Sequence, residues 1–409
     1  MNNKNKINLF IIDPNISNQM GHYAEYAMAI YNSAQKQGYD VKILAHCTAS
    51  KNDVQNLNAI PVFRFNIWHS FVKSPRLSFI INTPIANWTF YQDLTTSLNL
   101  TQSRKYVVFM PTFNHRHMLA WSWWLNHVPT SIDLQLVLLF RYSYYEVGRN
   151  RPWSFRVWWA RIGIFFLRWA ARRCRFHLRL AADSHRLAQE YRKLTSLPIE
   201  IFPIPHTTGI VNHKMSNLTA KQRPIRFVFL GDAREEKGFS LIAEAILELH
   251  KHNQLNGIEF ILQCYISSEV HAAMKLPRQK LIDLCLPQIQ LILEPLTRDS
   301  YNNIIDQADV VLLPYSRRIY YSRTSGPFAE ALAAGKPVIV PRDTWMSDQV
   351  VQYGAGIMFK SYDFEDLIRA ITAIRDGYPS LAKRAQIGRS KWTTFHNPDN
   401  FVRLLMNGL

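Results

Sequence analysis

The chain has 409 residues, 47% of them hydrophobic and 19% charged, with a formal net charge of +18. That length suits two domains of about 200 residues each, and the composition excludes wholesale disorder. Residues 1–215 carry 25 Lys and Arg against 10 Asp and Glu, net +15, whereas residues 216–409 carry 23 against 20, net +3. We therefore expect the first half to face an anionic partner, with nucleic acid, anionic lipid and acidic glycan as candidates.

The four cysteines favour a reducing compartment, because no pair has the spacing of a metal site or a redox disulfide. The apolar run at 7–12 ends at Asp13 and Pro14, too early for a signal-peptide core. No uncharged stretch reaches the roughly 18 residues that span a bilayer. The sequence predicts a cytoplasmic protein that contacts a membrane only peripherally, at its cytosolic face.

Strand-like and helix-like segments alternate along the whole chain. The apolar runs predict strands at 7–12, 41–45, 106–110, 135–140, 178–182 and 199–204, and a helix at 23–37. After the polar stretch 212–224, strands are predicted at 226–230, 259–263, 289–293, 310–314 and 337–341, with a helix at 239–252. This order predicts an α/β protein with two Rossmann-like domains facing each other across a cleft.

The predicted boundaries follow from this alternation and from the polar stretch. They are 1–211 for the first Rossmann-like domain, 212–224 for a linker, 225–385 for the second Rossmann-like domain, and 386–409 for a helical segment that packs back toward the first domain.

The most informative motif joins the strands predicted at 310–314 and 337–341. Thr324, Ser325 and Gly326 directly precede a helix predicted at 328–334, and backbone N–H groups at a helix N-terminus bind a diphosphate or sugar hydroxyls well. Glu330 is predicted in the first turn of that helix. Its carboxylate is suited to ribose hydroxyls; the alternative is that it simply complements the helix dipole.

A second motif, GDAREEKG at 231–238, follows the first strand of the second domain. Gly231 lets the chain pass close to a ligand, while Arg234 and Lys237 supply two cations suited to phosphate. The alternative is a solvated charged turn, since Glu235 and Glu236 lie between those cations.

The loop after the first strand has one glycine, Gly21, and lacks the G-x-G-x-x-G pattern of dinucleotide sites. Gly21 is either part of a ligand-binding loop or a plain helix-entry turn. His22, His115, His117 and His206 all fall where strands give way to loops, where an imidazole can bind sugar hydroxyls or a phosphate, or be incidental.

Taken together, these motifs resemble those of a known family. It rests on Gly231 followed six residues later by Lys237-Gly238, on ADVVLLP at 308–314 and on EALAAGKPVI at 330–339. Over about 225–360 the chain resembles the family 4 retaining glycosyltransferases of GT-B fold. Gly21-His22, residues 110–117 and residues 181–205 follow the family's order more loosely.

The resemblance implies that the second domain binds a nucleoside-diphosphate sugar and the first domain binds the acceptor. Arg234 and Lys237 would neutralise the diphosphate as it leaves. Glu330 would bind the ribose, and Gly21, Gly231 and residues 324–326 would line the donor site. Retaining members are thought to use the leaving phosphate to deprotonate the acceptor, so neither a general base nor a cofactor is implied. The chain also has no Asp-x-Asp motif, and we expect no metal.

The chain departs from the family pattern at three positions. The first glutamate of the family pair corresponds to Ser322, and the arginine that usually follows the glycine corresponds to Asp232. The strand-end histidine that contacts the donor sugar falls near Phe140 and Arg141. Its role is therefore either missing or taken by His115 or Arg141.

The segment 151–179 holds eight arginines and no acidic residue. On a helical wheel one stripe contains Arg161, Arg168, Arg172, Arg175 and Arg179, with Trp158, Ile162, Phe165 and Trp169 beside it. This pattern is typical of an interfacial helix that binds lipid phosphates and suits a lipid-linked acceptor. The alternative is a helix packed within its domain with an arginine face in water.

The sequence therefore predicts a hexosyltransferase that moves a sugar to a hydroxyl of a glycan or lipid-linked acceptor, with retention, in envelope polysaccharide biosynthesis. A nucleotide-sugar epimerase or a non-catalytic binding protein on the same fold remains an alternative. Nucleic-acid binding is disfavoured, because no RNP-like or helix-turn-helix signature accompanies the arginines.

Overall fold

The computed structural model describes residues 7–17, 23–67, 75–102, 104–143, 155–173, 177–206 and 223–407. The chain divides into two compact units, the first formed by Met1–His206 with Asn397–Leu409 and the second by Thr207–His396. The predicted linker at 212–224 lies almost wholly outside the described residues.

The first unit is built on a seven-stranded sheet. Its strands are β1 (Asn8–Asp13), β2 (Asp40–His46), β3 (Ala59–Phe63), β4 (Lys105–Met110), β5 (Asp133–Phe140), β6 (His177–Ala182) and β7 (Glu200–Ile201). Its helices are α1 (Tyr23–Lys36), α2 (Lys51–Leu57), α3 (Pro75–Ser97), α4 (Met118–His127), α5 (Phe155–Arg173), α6 (His185–Thr195) and α14 (Pro398–Leu405).

The second unit is built on a six-stranded sheet. Its strands are β8 (Ile225–Phe229), β9 (Ile258–Gln263), β10 (Ile289–Ile292), β11 (Val310–Leu312), β12 (Val338–Pro341) and β13 (Gly356–Phe359). Its helices are α7 (Phe239–Lys251), α8 (Lys275–Asp283), α9 (Arg298–Gln307), α10 (Arg317–Tyr320), α11 (Gly326–Ala333), α12 (Trp345–Tyr353) and α13 (Phe364–Phe395).

Both sheets are parallel, and each reverses its order beside its first strand. The orders are β3-β2-β1-β4-β5-β6-β7 and β10-β9-β8-β11-β12-β13, so the switch points lie between β1 and β4 and between β8 and β11. Ligands of open α/β sheets bind outside the carboxyl ends of the strands at such points. The predicted fold class, α/β with two Rossmann-like halves, is confirmed.

Alternate residues of the first sheet build two cores, because successive side chains of a strand point to opposite faces. Phe10 and Val108 belong to the core under α3, α4 and α5, whereas Leu9 and Val107 belong to the core under α1 and α14. Helix α4 lies between α3 and α5 in the layer of the first core. Since both strand faces are covered, the strands read in the sequence as nearly continuous apolar runs.

Two contacts fix that helical layer. The Asn87 side chain on α3 accepts hydrogen bonds from the backbone N–H groups of Leu119 (2.9 Å) and Ala120 (3.1 Å), and so caps the start of α4. Gly163 of α5 lies against Met118 of α4, where any larger residue would clash with the methionine side chain. Helix α5 therefore packs closely on α4 and turns its opposite face outward.

Arg179 corrects the predicted arginine stripe. It lies on β6, after the end of α5, and Arg175 lies outside the described residues. Its guanidinium donates to the carbonyl oxygens of Leu404 (2.8 Å), Leu405 (3.0 Å) and Asn407 (2.7 Å). A cation at the carbonyl end of a helix satisfies its unpaired acceptors and its dipole. Arg179 thus holds α14 in the first unit.

Several element bounds differ from the sequence-based expectations. The strand predicted at 199–204 is limited to Glu200–Ile201, where pairing with β6 ends. Helix α13 continues through 385 and 386, and the chain passes from the second unit to the first at His396 and Asn397.

Candidate functional site

The loops after β8 and β11 flank the switch point of the second sheet. The first loop continues into a short 3₁₀ helix, Glu235–Lys237, and α7 follows it. The second loop contacts the first, because the backbone N–H of Ser316 donates to the carbonyl oxygen of Glu236 at 2.8 Å. The two predicted motifs therefore lie together at one edge of the sheet.

Two glycines make this arrangement possible. Gly231 has φ +119° and its backbone N–H donates to Gln263 Oε1 at 2.7 Å, while the Lys237 ammonium lies where a Cβ of residue 231 would be. Gly238 has φ +72°, and a Cβ there would clash with the carbonyl oxygen of Pro314. Both positions need glycine, because left-handed backbone and close packing coincide.

Asp232 accepts hydrogen bonds from both predicted phosphate-binding cations. Lys237 Nζ donates to Asp232 Oδ1 at 2.7 Å. Arg234 Nε donates to Oδ2 at 2.5 Å, and Ser267 Oγ donates to the same oxygen at 2.8 Å. Burial acts to raise the pKa of the Asp232 carboxyl, but Lys237, Arg234 and Ser267 outweigh it and hold that pKa well below its ordinary value. Burial disfavours the charged ammonium as well and so lowers the pKa of Lys237, although Asp232 opposes the shift. The turn is an ordered ionic cluster, unlike a freely solvated charged loop.

The segment 324–326 leads into a helix as predicted, but that helix begins two residues earlier than expected. Ser325 is the N-cap of α11 and its Oγ accepts from the backbone N–H of Phe328 at 3.3 Å, while Gly326 is the first helical residue. Thr324 is partly buried just before the cap. Helix α11 thus begins after the loop that follows β11, and Ser316 in that loop contacts Glu236 in the turn that carries Arg234 and Lys237.

Glu330 does not lie in the first turn of α11, which is a correction to the sequence analysis. Its side chain is fully buried, Arg298 Nη1 donates to Oε1 at 3.0 Å, and the Tyr301 hydroxyl donates to Oε2. Both partners lie on α9. The carboxylate therefore joins α11 to α9, and a ribose contact by Glu330 stays a prediction.

A cluster that the sequence analysis did not assemble lies at the carboxyl ends of β1, β5 and β6. Arg141 lies over the Tyr26 ring (4.6 Å) and its Nε is 3.5 Å from Asp183 Oδ2. Burial raises the pKa of the Asp13 carboxyl to about 6, although Asn15 and Arg141 oppose the shift. The sequence signal that could have revealed this cluster is a polar residue directly after each of three apolar runs: Asp13, Arg141 and Asp183.

Of the other residues predicted in the first unit, the structure describes His115 and His117 but not Gly21 and His22. His115 lies between β4 and α4, where its backbone carbonyl accepts from Asn87 Nδ2 at 3.0 Å. His117 is buried against Phe90, and burial lowers its pKa well below the ordinary value. The loop containing Gly21 and His22 lies outside the described residues, so both assignments remain predictions.

The outward face of α5 combines arginines with aromatic side chains. Arg161 and Arg172 are exposed and Arg168 is partly exposed, and no ion pair of these three occurs within the described ranges. Helix α3, on the other side of α4, also carries exposed apolar residues, which the sequence analysis missed. We call the following residues the outer helical face: Ile81, Ile85, Trp88, Trp158, Arg161, Phe165, Phe166, Arg168, Trp169 and Arg172. Helix α5 thus packs in its domain and also presents an interfacial pattern.

Known proteins resemble the chain in sequence over one segment and in structure over nearly all of it. Residues 224–376 match the sequence model of the family Glycosyl transferases group 1. The structure resembles a glycosyltransferase from Rickettsia africae at 14% identity, with 99% of this chain and 100% of that chain covered and a TM-score of 0.66. No curated protein sequence matches the chain.

Two further solved structures resemble the chain at a TM-score of 0.65. HepE from Anabaena, in complex with UDP, is 12% identical with 98% of both chains covered. Sucrose-phosphate synthase from Thermosynechococcus elongatus is 13% identical with 98% of this chain and 97% of that chain covered. These similarities confirm the GT-B fold, and with the family match they support the coarser functional prediction, a glycosyltransferase.

Two kinds of feature are absent from the described residues. No described helix combines the length and the apolar character needed to cross a bilayer. No group of three or more His, Cys, Asp or Glu side chains suited to a metal ion occurs in the part of the chain that the structure describes.

Proposed function

We propose that the chain is a retaining family 4 hexosyltransferase that moves a sugar from a nucleoside-diphosphate sugar to a hydroxyl of a glycan or lipid-linked acceptor, in envelope polysaccharide biosynthesis. One observation carries the proposal: Arg234 and Lys237 on the loop after β8, and the Ser325-capped start of α11 after β11, flank the switch point of the second sheet. Cations beside N–H groups at a helix start suit a diphosphate. The bound nucleotide of the Anabaena protein, UDP, agrees in class.

In the proposed reaction the bond between the sugar's anomeric carbon and the diphosphate oxygen breaks. The acceptor hydroxyl forms its new bond on the same face of the sugar, and its proton goes to an oxygen of the leaving phosphate. Arg234 and Lys237 stabilise the charge that grows on that phosphate. His115 is the proposed sugar contact, since Arg141 already holds Asp183. The step needs no divalent metal.

Ligand-dependent stability followed by a transfer assay tests this function. A nucleoside diphosphate that binds the folded chain raises its apparent melting temperature by mass action, and a screen of UDP, ADP, GDP and their sugars identifies the base. Transfer is then assayed with that donor in EDTA. Isomerisation of the free sugar nucleotide without an acceptor would instead identify an epimerase, and neither transfer nor isomerisation would identify a binding protein.

We further propose that the outer helical face binds the anionic cytosolic surface of a membrane, where a lipid-linked acceptor is available. The support is its composition: arginines without acidic neighbours on α5, and exposed Trp158, Phe165 and Trp169 beside them. Aromatic rings favour the headgroup region, and arginines bind lipid phosphates.

Vesicle flotation tests the membrane proposal. We expect the chain to float with phosphatidylcholine vesicles containing phosphatidylglycerol and to float less with phosphatidylcholine alone. The triple change Arg161→Gln, Arg168→Gln and Arg172→Gln should weaken binding by about 3 kcal/mol, at about 1 kcal/mol for each cation.

A charge-matched triple variant on the second unit, Lys251→Gln, Arg369→Gln and Arg375→Gln, is the control. These three residues are paired with acidic neighbours on α7 and α13. Equal loss of flotation in both triple variants, or equal flotation of the unmodified chain with both lipid mixtures, would contradict the proposal.

A further inference from the structure

The carboxylate of Asp232 lies beside the position where the proposed donor diphosphate binds. Asp232 accepts from Lys237 Nζ at 2.7 Å and from Arg234 Nε, the two cations assigned to that diphosphate. Its side chain is only 11% exposed, so solvent screens it weakly. The ionic cluster therefore contains an internal anion as well as the two cations.

Asp232 and a phosphate can be bound by Lys237 at the same time. An ammonium has three N–H donors, and one of them already points to Asp232. Two oxygens held by one ammonium at hydrogen-bond length lie on the order of 4.5 Å apart. A diphosphate on Lys237 would thus have a fixed negative charge within one side chain's reach.

That fixed charge acts differently on the donor and on the product of the proposed reaction. In a nucleoside-diphosphate sugar the terminal phosphate is esterified, whereas in the free nucleoside diphosphate it carries up to one more negative charge above its second pKa of about 6. Repulsion from Asp232 therefore acts more strongly on the free diphosphate.

We propose that Asp232 is a specificity-determining residue that makes this site select the sugar-bearing donor over the free nucleoside diphosphate. The inference rests on the proposed function and deepens it. The carboxylate keeps the largely buried Lys237 paired before a nucleotide binds, and it weakens product binding after the sugar has left. Ser267 also donates a hydrogen bond to Asp232 but carries no charge.

Calorimetric binding at pH 8 to three ligand pairs tests the proposal: UDP with UDP-glucose, ADP with ADP-glucose, and GDP with GDP-mannose. For whichever pair binds, Asp232→Asn should tighten the free diphosphate about tenfold more than the sugar nucleotide, a difference of 1.4 kcal/mol. In the unmodified chain, binding of the free diphosphate relative to the sugar nucleotide should weaken as the pH is raised from about 5.5 to 8, because the terminal phosphate then gains its second charge. That measurement keeps the test decisive if Asp232→Asn does not fold.

Two controls separate charge from local geometry. Ser267→Ala removes a hydrogen bond to Asp232 and keeps its charge, so the ratio of the two dissociation constants should not change. Asp376→Asn removes a charge that is paired with Arg375 on α13 and should also leave the ratio unchanged. An Asp232→Asn variant that weakens both ligands, or a Ser267→Ala variant that changes the ratio equally, would overturn the inference. If neither member of any pair binds the unmodified chain or the variant, the proposed function fails with it.

Discussion

Lys237→Ala is expected to reduce the kcat/KM of sugar transfer at least tenfold, about 1.4 kcal/mol of transition-state stabilisation. The ammonium is largely buried, lies close to where a Cβ of residue 231 would be, and in the proposed reaction supplies a cation where negative charge grows on the leaving diphosphate. If that contact strengthens as the bond breaks, kcat should fall more than donor binding weakens. Steady-state transfer kinetics and donor titration measure the two effects.

Lys251→Ala is the matched control for that change. Lys251 lies on α7 in the same unit, pairs with Glu248 and is largely exposed, so its loss should leave transfer unchanged. Because Lys237→Ala also removes a partner from Asp232, thermal unfolding must show that the variant is folded at the assay temperature. A folded Lys237→Ala variant with unchanged transfer would remove Lys237 from the mechanism.

Arg298→Met is expected to lower the free energy of unfolding by about 3 kcal/mol, because it leaves the buried Glu330 carboxylate without its cation. Glu330→Gln should cost less, about 1 to 2 kcal/mol, since Arg298 is about one-third exposed and can turn to solvent whereas Glu330 is fully buried. The order of the two effects follows from this difference in burial. Thermal unfolding should show it as a shift of the melting temperature by roughly 2–4 °C for each kcal/mol.

Arg375→Met is the control for the removal of an arginine from a surface pair, and it should leave stability nearly unchanged. If Glu330 had no structural role, Arg298→Met would be as harmless as Arg375→Met. The same variants also bear on the ribose prediction. A Glu330→Gln protein that is folded but binds nucleoside diphosphates more weakly would assign the ribose contact in addition to the link with α9.

The conformations of the loops after β8 and β11 could be predicted because their determinants are local. Gly231 and Gly238 sit at turns whose backbone only glycine adopts readily, and Ser325 caps the helix that begins one residue later. Strands buried on both faces also read as continuous apolar runs, so β1, β4, β5 and β8 were found within a few residues of their ends.

The expectations for Arg179 and Glu330 were wrong for the same physical reason. The residues that bind each of these side chains lie far away in the sequence. Arg179 continues an arginine-rich run, but it pairs with Glu200 on β7 and donates to carbonyl groups more than 200 residues later, at the end of α14. Glu330 looks like a helix-start carboxylate, but Arg298 and Tyr301 on another helix hold it.

The sequence by itself determined that this is a two-unit α/β protein, that its excess positive charge lies in the first half, and which two loops of the second domain carry the predicted ligand-binding motifs. Local periodicity, turn residues and charge counts carry that information without any long-range contact. Only the tertiary structure decided that Arg234, Lys237 and Ser267 all donate directly to Asp232, and that α3 and α5, on either side of α4, both carry exposed apolar side chains. Side-chain pairing and exposure depend on which elements become neighbours, and that is set by the packing of the whole unit.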